Sequence, residues 1–268
     1  MIRRLAFSSG HRYWDAGLSL EENRARYGEW ASPYNHGHNY GLDVAVRGSV
    51  DGDTGMVVNI KDIDAIARRE VLSVYDGRSI NDEVPGFDRR APSVENLLLD
   101  IHARLSGAMP PECRLAALTL HETPLFRGDL DATTMDLTLT RTYEFAAAHR
   151  LDAPALSPER NLALFGKCNN AAGHGHNYVL EVTVGGAPDP ESGMLCDLGE
   201  LDARIEELVV DRYDHKNLNE DLPEFAGRST SSENVTLEIF ARLNGHLPAE
   251  LRRVRLSETA RNLFEVSR

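Results

Sequence analysis

The second half of this 268-residue chain repeats the first, and no other feature constrains its fold as tightly. Phe7-Ser8-Ser9-Gly10-His11-Arg12 is echoed by Phe145-Ala146-Ala147-Ala148-His149-Arg150. His36-Gly37-His38-Asn39-Tyr40 returns as His174-Gly175-His176-Asn177-Tyr178, Thr54-Gly55-Met56 as Ser192-Gly193-Met194, and Glu95-Asn96 as Glu233-Asn234. All of these pairs stand 138 residues apart; Glu122-Thr123 and Glu258-Thr259 stand 136 apart, so two residues are missing from a loop of the second half. One such gap over this length marks duplicated folding units. The boundary falls near residues 128–136, where Gly128-Asp129-Leu130-Asp131-Ala132 reads as a connector, giving units over 1–130 and 136–268.

Each unit reads as a strand, a long loop, a strand, a turn, a strand, two helices, then one or two strands. Leu42, Val44 and Val46 alternate with Asp43, Ala45 and Arg47, and Leu180, Val182 and Val184 alternate with Glu181 and Thr183. Period two predicts strands with one buried face. Breaker-rich turns follow at 51–55 and 188–193. Leu198, Leu201, Ile205, Leu208 and Val209 fit helical spacing, as do Val235, Ile239 and Leu243; Ser93 and Ser231 (or Thr230) stand at N-cap positions. The fold class is therefore α+β: in each unit an antiparallel sheet with helices on one face. So small a unit leaves sheet edges uncovered, and edges invite pairing with further copies, so an oligomer is expected.

Charge limits the partners. The chain has 29 Lys+Arg against 42 Asp+Glu, a net charge of −13, with no basic stripe, so nucleic acid and anionic membranes are poor candidates. No apolar run reaches the length of a membrane span, and the N-terminus lacks the apolar core of a secretory signal. Three widely spaced cysteines, Cys113, Cys168 and Cys196, favour a reducing, cytoplasmic setting.

Six of the ten histidines fall into two sets of identical spacing: His11, His36 and His38, and His149, His174 and His176. Residues i and i+2 of an extended segment point to one side, so each His-Gly-His presents two imidazoles to one point, and the glycine lets the backbone approach. A third imidazole from the first strand completes a three-nitrogen set with an open position, the pattern of catalytic zinc, although imidazole also suits nickel and iron. Cys168 lies beside Lys167 and close in sequence to two of these histidines, a setting that favours a thiolate. Asp214-His215 is an adjacent carboxylate–imidazole pair of the kind that relays a proton to or from a thiol. Glu258, matched by Glu122, can accept two hydrogen bonds from a guanidine-like ring edge. Glu95 and Glu233 open the second helix, where the helix dipole accounts for them.

These motifs together resemble the 6-pyruvoyl-tetrahydropterin synthase and 6-carboxytetrahydropterin synthase family. The second half carries Phe-x-Ala-Ala-His-Arg-Leu, Phe-Gly-Lys-Cys-Asn-Asn-x-x-Gly-His-Gly-His-Asn-Tyr, Gly-Met-x-x-Asp-Leu, Asp-His-Lys-x-Leu-Asn, Ser-x-Glu-Asn and Glu-Thr, in order, over 145–259. The first half resembles it with reduced fidelity. The resemblance implies two tandem tunnelling-fold units that assemble into a barrel, as homo-oligomers such as a trimer of tandem chains, with sites shared between subunits. It implies Zn2+ on His149, His174 and His176, and on His11, His36 and His38. It implies a pterin triphosphate substrate, 7,8-dihydroneopterin triphosphate, anchored by Glu258 and by Glu122. It also implies proton transfer by Cys168 with Asp214 and His215, and release of triphosphate. The carboxytetrahydropterin branch, which leads to deazapurines, and a non-catalytic zinc-containing pterin-binding protein are the alternatives.

The first half departs where the chemistry would sit. Trp30 stands in place of Cys168, Gly77 of His215, Glu29 of Lys167 and Arg78 of Lys216, while Asp76 is kept. The first half is thus expected to keep a metal and to lack the proton relay.

Overall fold

A computed structural model describes residues 1–268 and divides into two compact units. The first comprises residues 1–139 with 185–199; the second comprises 140–184 and 200–268.

In the first unit β1 (Ile2–His11), α1 (Leu20–Tyr27) and β2 (His36–Gly48) are followed by α2 (Ile60–Ala67), which runs through a π-turn (Arg68–Leu72) into α3 (Ser73–Tyr75). Then come β3 (Arg78–Ser79), α4 (Ile80–Glu83), α5 (Val94–Ser106), β4 (Cys113–Thr123) and β5 (Phe126–Asp131). The second repeat gives β6 (Leu137–His149), α6 (Pro158–Phe165) and β7 (His174–Gly185). After β7 come α7 (Leu198–Ile205), a π-turn (Glu206–Val210), α8 (Asp211–Tyr213) and β8 (Lys216–Asn217), then α9 (Ser232–Leu243), β9 (Glu250–Thr259) and β10 (Asn262–Ser267).

The strand order is β5-β4-β2-β1-β3 in the first unit and β10-β9-β7-β6-β8 in the second. The long pairings of the first unit are antiparallel, with Phe7 opposite Tyr40, His11 opposite His36 and Leu42 opposite Leu120. Only the two-residue strands join in parallel, β3 to β1 and β8 to β6. Neither unit's sheet closes on itself. The barrel that the resemblance implies on assembly of units is therefore not formed within either unit.

The period-two reading holds. Leu42, Val44 and Val46, and Leu180, Val182 and Val184, are all buried. Beneath them α5 buries Leu97, Leu98, Ile101 and Leu105, and α9 buries Val235, Ile239 and Leu243 at the expected spacing. Arg3 clamps Asp64 of α2 at 2.6 Å, and Arg141 clamps Asp202 of α7 at 2.8 Å, so the same bidentate pair ties helix to first strand in both repeats. Ser93 caps α5 through its side chain; Ser231 occupies the N-cap of α9 without that bond.

Three local features depart from the expected pattern. The strand expected between the turn and the helices is not formed in either repeat: residues 56–59 and 194–197 lead directly into α2 and α7. The long loop after each first strand contains a helix. Ser19 and Glu22 form a reciprocal capping box on α1, and Ser157 caps α6 with Pro158 in its first turn. The helix over 198–209 is not regular either: its last turn is the π-turn, which keeps Val209 buried under Ile205.

The segment 185–199, although part of the second repeat in sequence, packs in the first unit. Met194 is buried there with Tyr13, Tyr27 and Ala91, and Leu198 packs against the same cluster.

Candidate active site and metal centres

The antiparallel register brings each histidine set together. His11 ends β1 opposite His36, and His38 follows on the same face of β2. A Cβ on Gly37 would lie 3.0 Å from the Ser9 carbonyl oxygen, so the close strand approach is one that glycine permits. The candidate ligand atoms of His11, His36 and His38 all lie within 4.8 Å of one another, and so do those of His149, His174 and His176.

Each set is oriented from behind. The Nδ1 atoms of His11 and His149 lie 3.0 Å from the Pro92 carbonyl and 2.9 Å from the Thr230 carbonyl. A carbonyl only accepts, so each Nδ1 carries the proton and each Nε2 presents its lone pair. The Nε2 atoms of His11, His38, His149 and His176, and Nδ1 of His174, are buried without any hydrogen-bond partner. Buried orphaned nitrogens are rare and demand a reason, and a metal ion is the partner that three converging lone pairs fit. Burial, reinforced by His36 and His38, pushes the His11 imidazole down to about 3. Burial also lowers His36, His38, His149 and His174. Neutral imidazole is the ligating form.

Glu258 closes the second set. Its Oε1 accepts a hydrogen bond from the Ser232 hydroxyl at 2.8 Å and its Oε2 one from the Asn262 amide at 3.2 Å. Oε1 also lies 3.6 Å from His149 Nε2 and 3.8 Å from His176 Nε2. Burial pushes this carboxyl up, but the two hydrogen bonds and the imidazoles outweigh it and hold the group below its ordinary value. Glu122 stands likewise 3.8 Å from His38 Nε2 and 3.5 Å from the Tyr40 hydroxyl. Val94 and Phe126 stand there at the positions of Ser232 and Asn262.

Cys168 lies half-buried on the short turn (Gly166–Asn169) after α6, with its carbonyl accepting from the Leu151 amide at 2.9 Å. Asp214 accepts from the Ala146 amide at 2.7 Å, and its other oxygen holds His215 Nδ1 at 2.7 Å. The Ala146 amide, then His215, holds the Asp214 carboxyl below its usual range. His215 has φ +57, left-handed backbone that disfavours any Cβ, whereas Gly77 takes the same place at φ +72. Its side chain is 84% exposed and hydrogen-bonded to Asp214, not to Cys168. Within the second unit the structure thus gathers His149, His174, His176 and Glu258, and pairs Asp214 with His215, but does not join that pair to the thiol. The first unit keeps the Asp76 contact, to the Ser8 amide at 3.0 Å, with nothing beyond it to relay a proton.

Sequence reasoning missed Ser232 and Asn262. A hydroxyl at 232 where the repeat has Val94, and an amide at 262 where it has Phe126, was the available signal. It also assigned Glu95 to the helix dipole alone. Glu95 is buried, and its Oε1 accepts the Leu195 amide at 2.7 Å. Burial raises it despite that bond.

Comparison with known proteins matches both repeats to one family. The profile of the family described as 6-pyruvoyl tetrahydropterin synthase matches twice, over residues 1–127 and 138–268. The 6-pyruvoyl tetrahydrobiopterin synthase of Homo sapiens is 45% identical over 126 residues, 47% of this chain and 87% of the relative. That of Poecilia reticulata is 44% identical over 126 residues, 47% of this chain and 86% of the relative. The structure of Caenorhabditis elegans 6-pyruvoyl tetrahydropterin synthase aligns with TM-score 0.48 at 41% identity, covering 50% of this chain and 96% of that one. With both halves matched, the chain belongs to the 6-pyruvoyl tetrahydropterin synthase family.

Proposed function

We propose that the chain is a zinc-dependent 6-pyruvoyl-tetrahydropterin synthase-type lyase that converts 7,8-dihydroneopterin triphosphate with release of triphosphate, and that the second unit carries the chemistry. The observation behind this reading is the second histidine set, with its orphaned nitrogens beside a carboxylate held ionised by Ser232 and Asn262. His149, His174 and His176 would hold Zn2+, which supplies Lewis acidity to the hydroxyls of the substrate side chain. Glu258 accepts two hydrogen bonds from the pterin ring edge. Cys168 moves a proton at the side-chain carbon through Sγ, and His215, oriented by Asp214, exchanges that proton with the thiol.

In this reading residues 136–268 are the intact synthase-like unit, and residues 1–130 are a degenerate one. The first unit binds Zn2+ through His11, His36 and His38 and offers Glu122 to a pterin, but it has no thiol or imidazole relay. The exposure of His215 and its hydrogen bond to Asp214 rather than to Cys168 fit a site assembled from more than one copy, in a homo-oligomer (a trimer of tandem chains) whose sheets close a tunnelling-fold barrel. Three cysteines outside any disulfide are compatible with a cytoplasmic reaction.

The test is incubation of purified protein with Zn2+ and 7,8-dihydroneopterin triphosphate, with products identified by mass spectrometry. A tetrahydropterin bearing a pyruvoyl side chain, plus triphosphate, is expected. A carboxypterin with acetaldehyde, or unconsumed substrate, would refute the assignment. Metal analysis should return about two zinc ions per chain, one for each histidine set.

A further inference from the structure

Tyr40 and Tyr178 hold the same place in the two repeats and differ in one bond. Tyr40 stacks on Phe7 with ring centres 5.0 Å apart and lies 5.6 Å from the His38 ring. Tyr178 stacks on Phe145 at 5.1 Å and lies 5.7 Å from the His176 ring. Both rings are buried. Yet the Tyr40 hydroxyl donates to Oε2 of Glu122 at 3.5 Å, whereas the Tyr178 hydroxyl is buried without any hydrogen-bond partner. Such an orphaned donor is costly and asks for a reason.

The two carboxylates are oriented alike. Oε1 of Glu122 lies 3.8 Å from His38 Nε2, and Oε1 of Glu258 lies 3.8 Å from His176 Nε2. The oxygen that Tyr40 holds in the first repeat, Oε2, is held in the second by the Asn262 amide at 3.2 Å, while the Ser232 hydroxyl holds Oε1 at 2.8 Å. Val94 and Phe126, at the positions of Ser232 and Asn262, bring no side-chain donor. The phenol of Tyr178 is therefore idle because another residue has taken its oxygen. Burial, then the Glu258 charge, push that phenol up, so it stays protonated, able to donate, and beside the carboxylate.

Exposure separates the two candidate donors to Oε2. Asn262 is exposed, whereas Tyr178 is fully buried. A ring ligand that reaches Glu258 from solvent and donates to both of its oxygens competes with the exposed amide for Oε2, not with the buried phenol. Each carboxylate oxygen has two lone pairs, so Oε2 can accept from a ligand on the open side and from Tyr178 on the buried side.

We propose that Tyr178 is a positioning residue for Glu258: when a ring ligand displaces Asn262, the Tyr178 hydroxyl donates to Oε2, as the Tyr40 hydroxyl does to Glu122. Asn262 and Tyr178 are thus alternative donors, one for the empty site and one for the filled site. The carboxylate keeps its orientation through the exchange, and the orphaned phenol gains its partner only in the complex. The exchange of donors stands on the comparison of the two repeats; its consequence for turnover rests on the proposed synthase activity.

A double-mutant cycle tests this, with Tyr178→Phe made in the wild type and in Asn262→Ala, which frees Oε2 without any ligand. In ligand-free wild-type protein the substitution removes an idle hydroxyl, and Tm should hold or rise. In Asn262→Ala the phenol has already taken over Oε2, and the same substitution should lower Tm. A double variant that unfolds while each single variant folds is the same coupling at its strongest. For 7,8-dihydroneopterin triphosphate, Tyr178→Phe should raise KM roughly tenfold with a smaller change in kcat, because the bond is made in the complex and Glu258 moves no proton. An equal change of Tm in both backgrounds, or an unaltered KM, would overturn the proposal. If the wild type does not consume the substrate at all, the synthase reading fails, while the thermal cycle still decides whether the two donors alternate.

Discussion

Replacing Ser232 by alanine isolates the contribution of one hydroxyl to the carboxylate expected to hold the pterin. The Ser232 hydroxyl donates to Glu258 at 2.8 Å, and hydrogen bonds to charged groups contribute about 1.5–3 kcal/mol. Asn262 stays on the other oxygen and water can reach the group, which favours the lower end of that range. A loss of about 1.5 kcal/mol corresponds to roughly tenfold in kcat/KM at neutral pH. The pH dependence adds a second signature. Glu258 sits below its ordinary value of 4.5, so the folded site keeps its carboxylate above that pH and loses it as pH falls. Removing the Ser232 bond takes away the largest of the effects that lower it, so the acid limb of kcat/KM must move to higher pH. The assay is kcat/KM for 7,8-dihydroneopterin triphosphate across the acid limb, with zinc content measured in parallel. An unchanged kcat/KM and an unmoved acid limb, with zinc retained, would refute the role given to Glu258.

Three further outcomes are expected. Cys168→Ala should abolish turnover with zinc retained, whereas Trp30→Ala should change turnover little; normal activity in the cysteine variant would remove the thiol from the mechanism. In metal-free protein, His11 stays neutral down to about 3 while the unfolded chain titrates near 6.5, so stability is lost as pH falls through that window. Urea unfolding of chelated protein should show about 2 kcal/mol less stability at pH 5 than at pH 7 from this group, a difference that His11→Gln removes. His215→Gly should relieve left-handed strain and raise stability by about 0.5–1 kcal/mol while turnover collapses; a lower Tm would show that the imidazole contributes more through Asp214 than its backbone costs.

The parts of this molecule that sequence could reveal are those written at short range. Alternation in β2 and β7 placed the core, and His-Gly-His placed two ligands on one face of one strand, so only His11 and His149 had to be found by long-range pairing. The 138-residue repeat supplied that pairing. Features that depend on tertiary packing stayed out of reach. Nothing near Glu258 announces that a hydroxyl 26 residues earlier will hold it. Glu95 and Glu233 have the same local sequence but differ in burial, because a segment 100 residues from Glu95 covers only one of them. Helical periodicity survives across Ile205 and Val209 although the last turn is a π-turn, since the insertion lets Val209 keep its inward direction.

Those π-turns also record the order of events in this gene's past. A π-turn inside an α-helix accommodates one additional residue, and such a change is seldom made twice at the same place. Arg68–Leu72 and Glu206–Val210 lie 138 residues apart, and each leads through a three-residue helix to the aspartate, Asp76 or Asp214. The lengthened turn was therefore present in a single-unit ancestor before the duplication. The exchanges that separate Trp30 from Cys168 and Gly77 from His215 came after it, on a backbone already fixed, so one descendant copy could drift in side chains while its backbone kept the same local course.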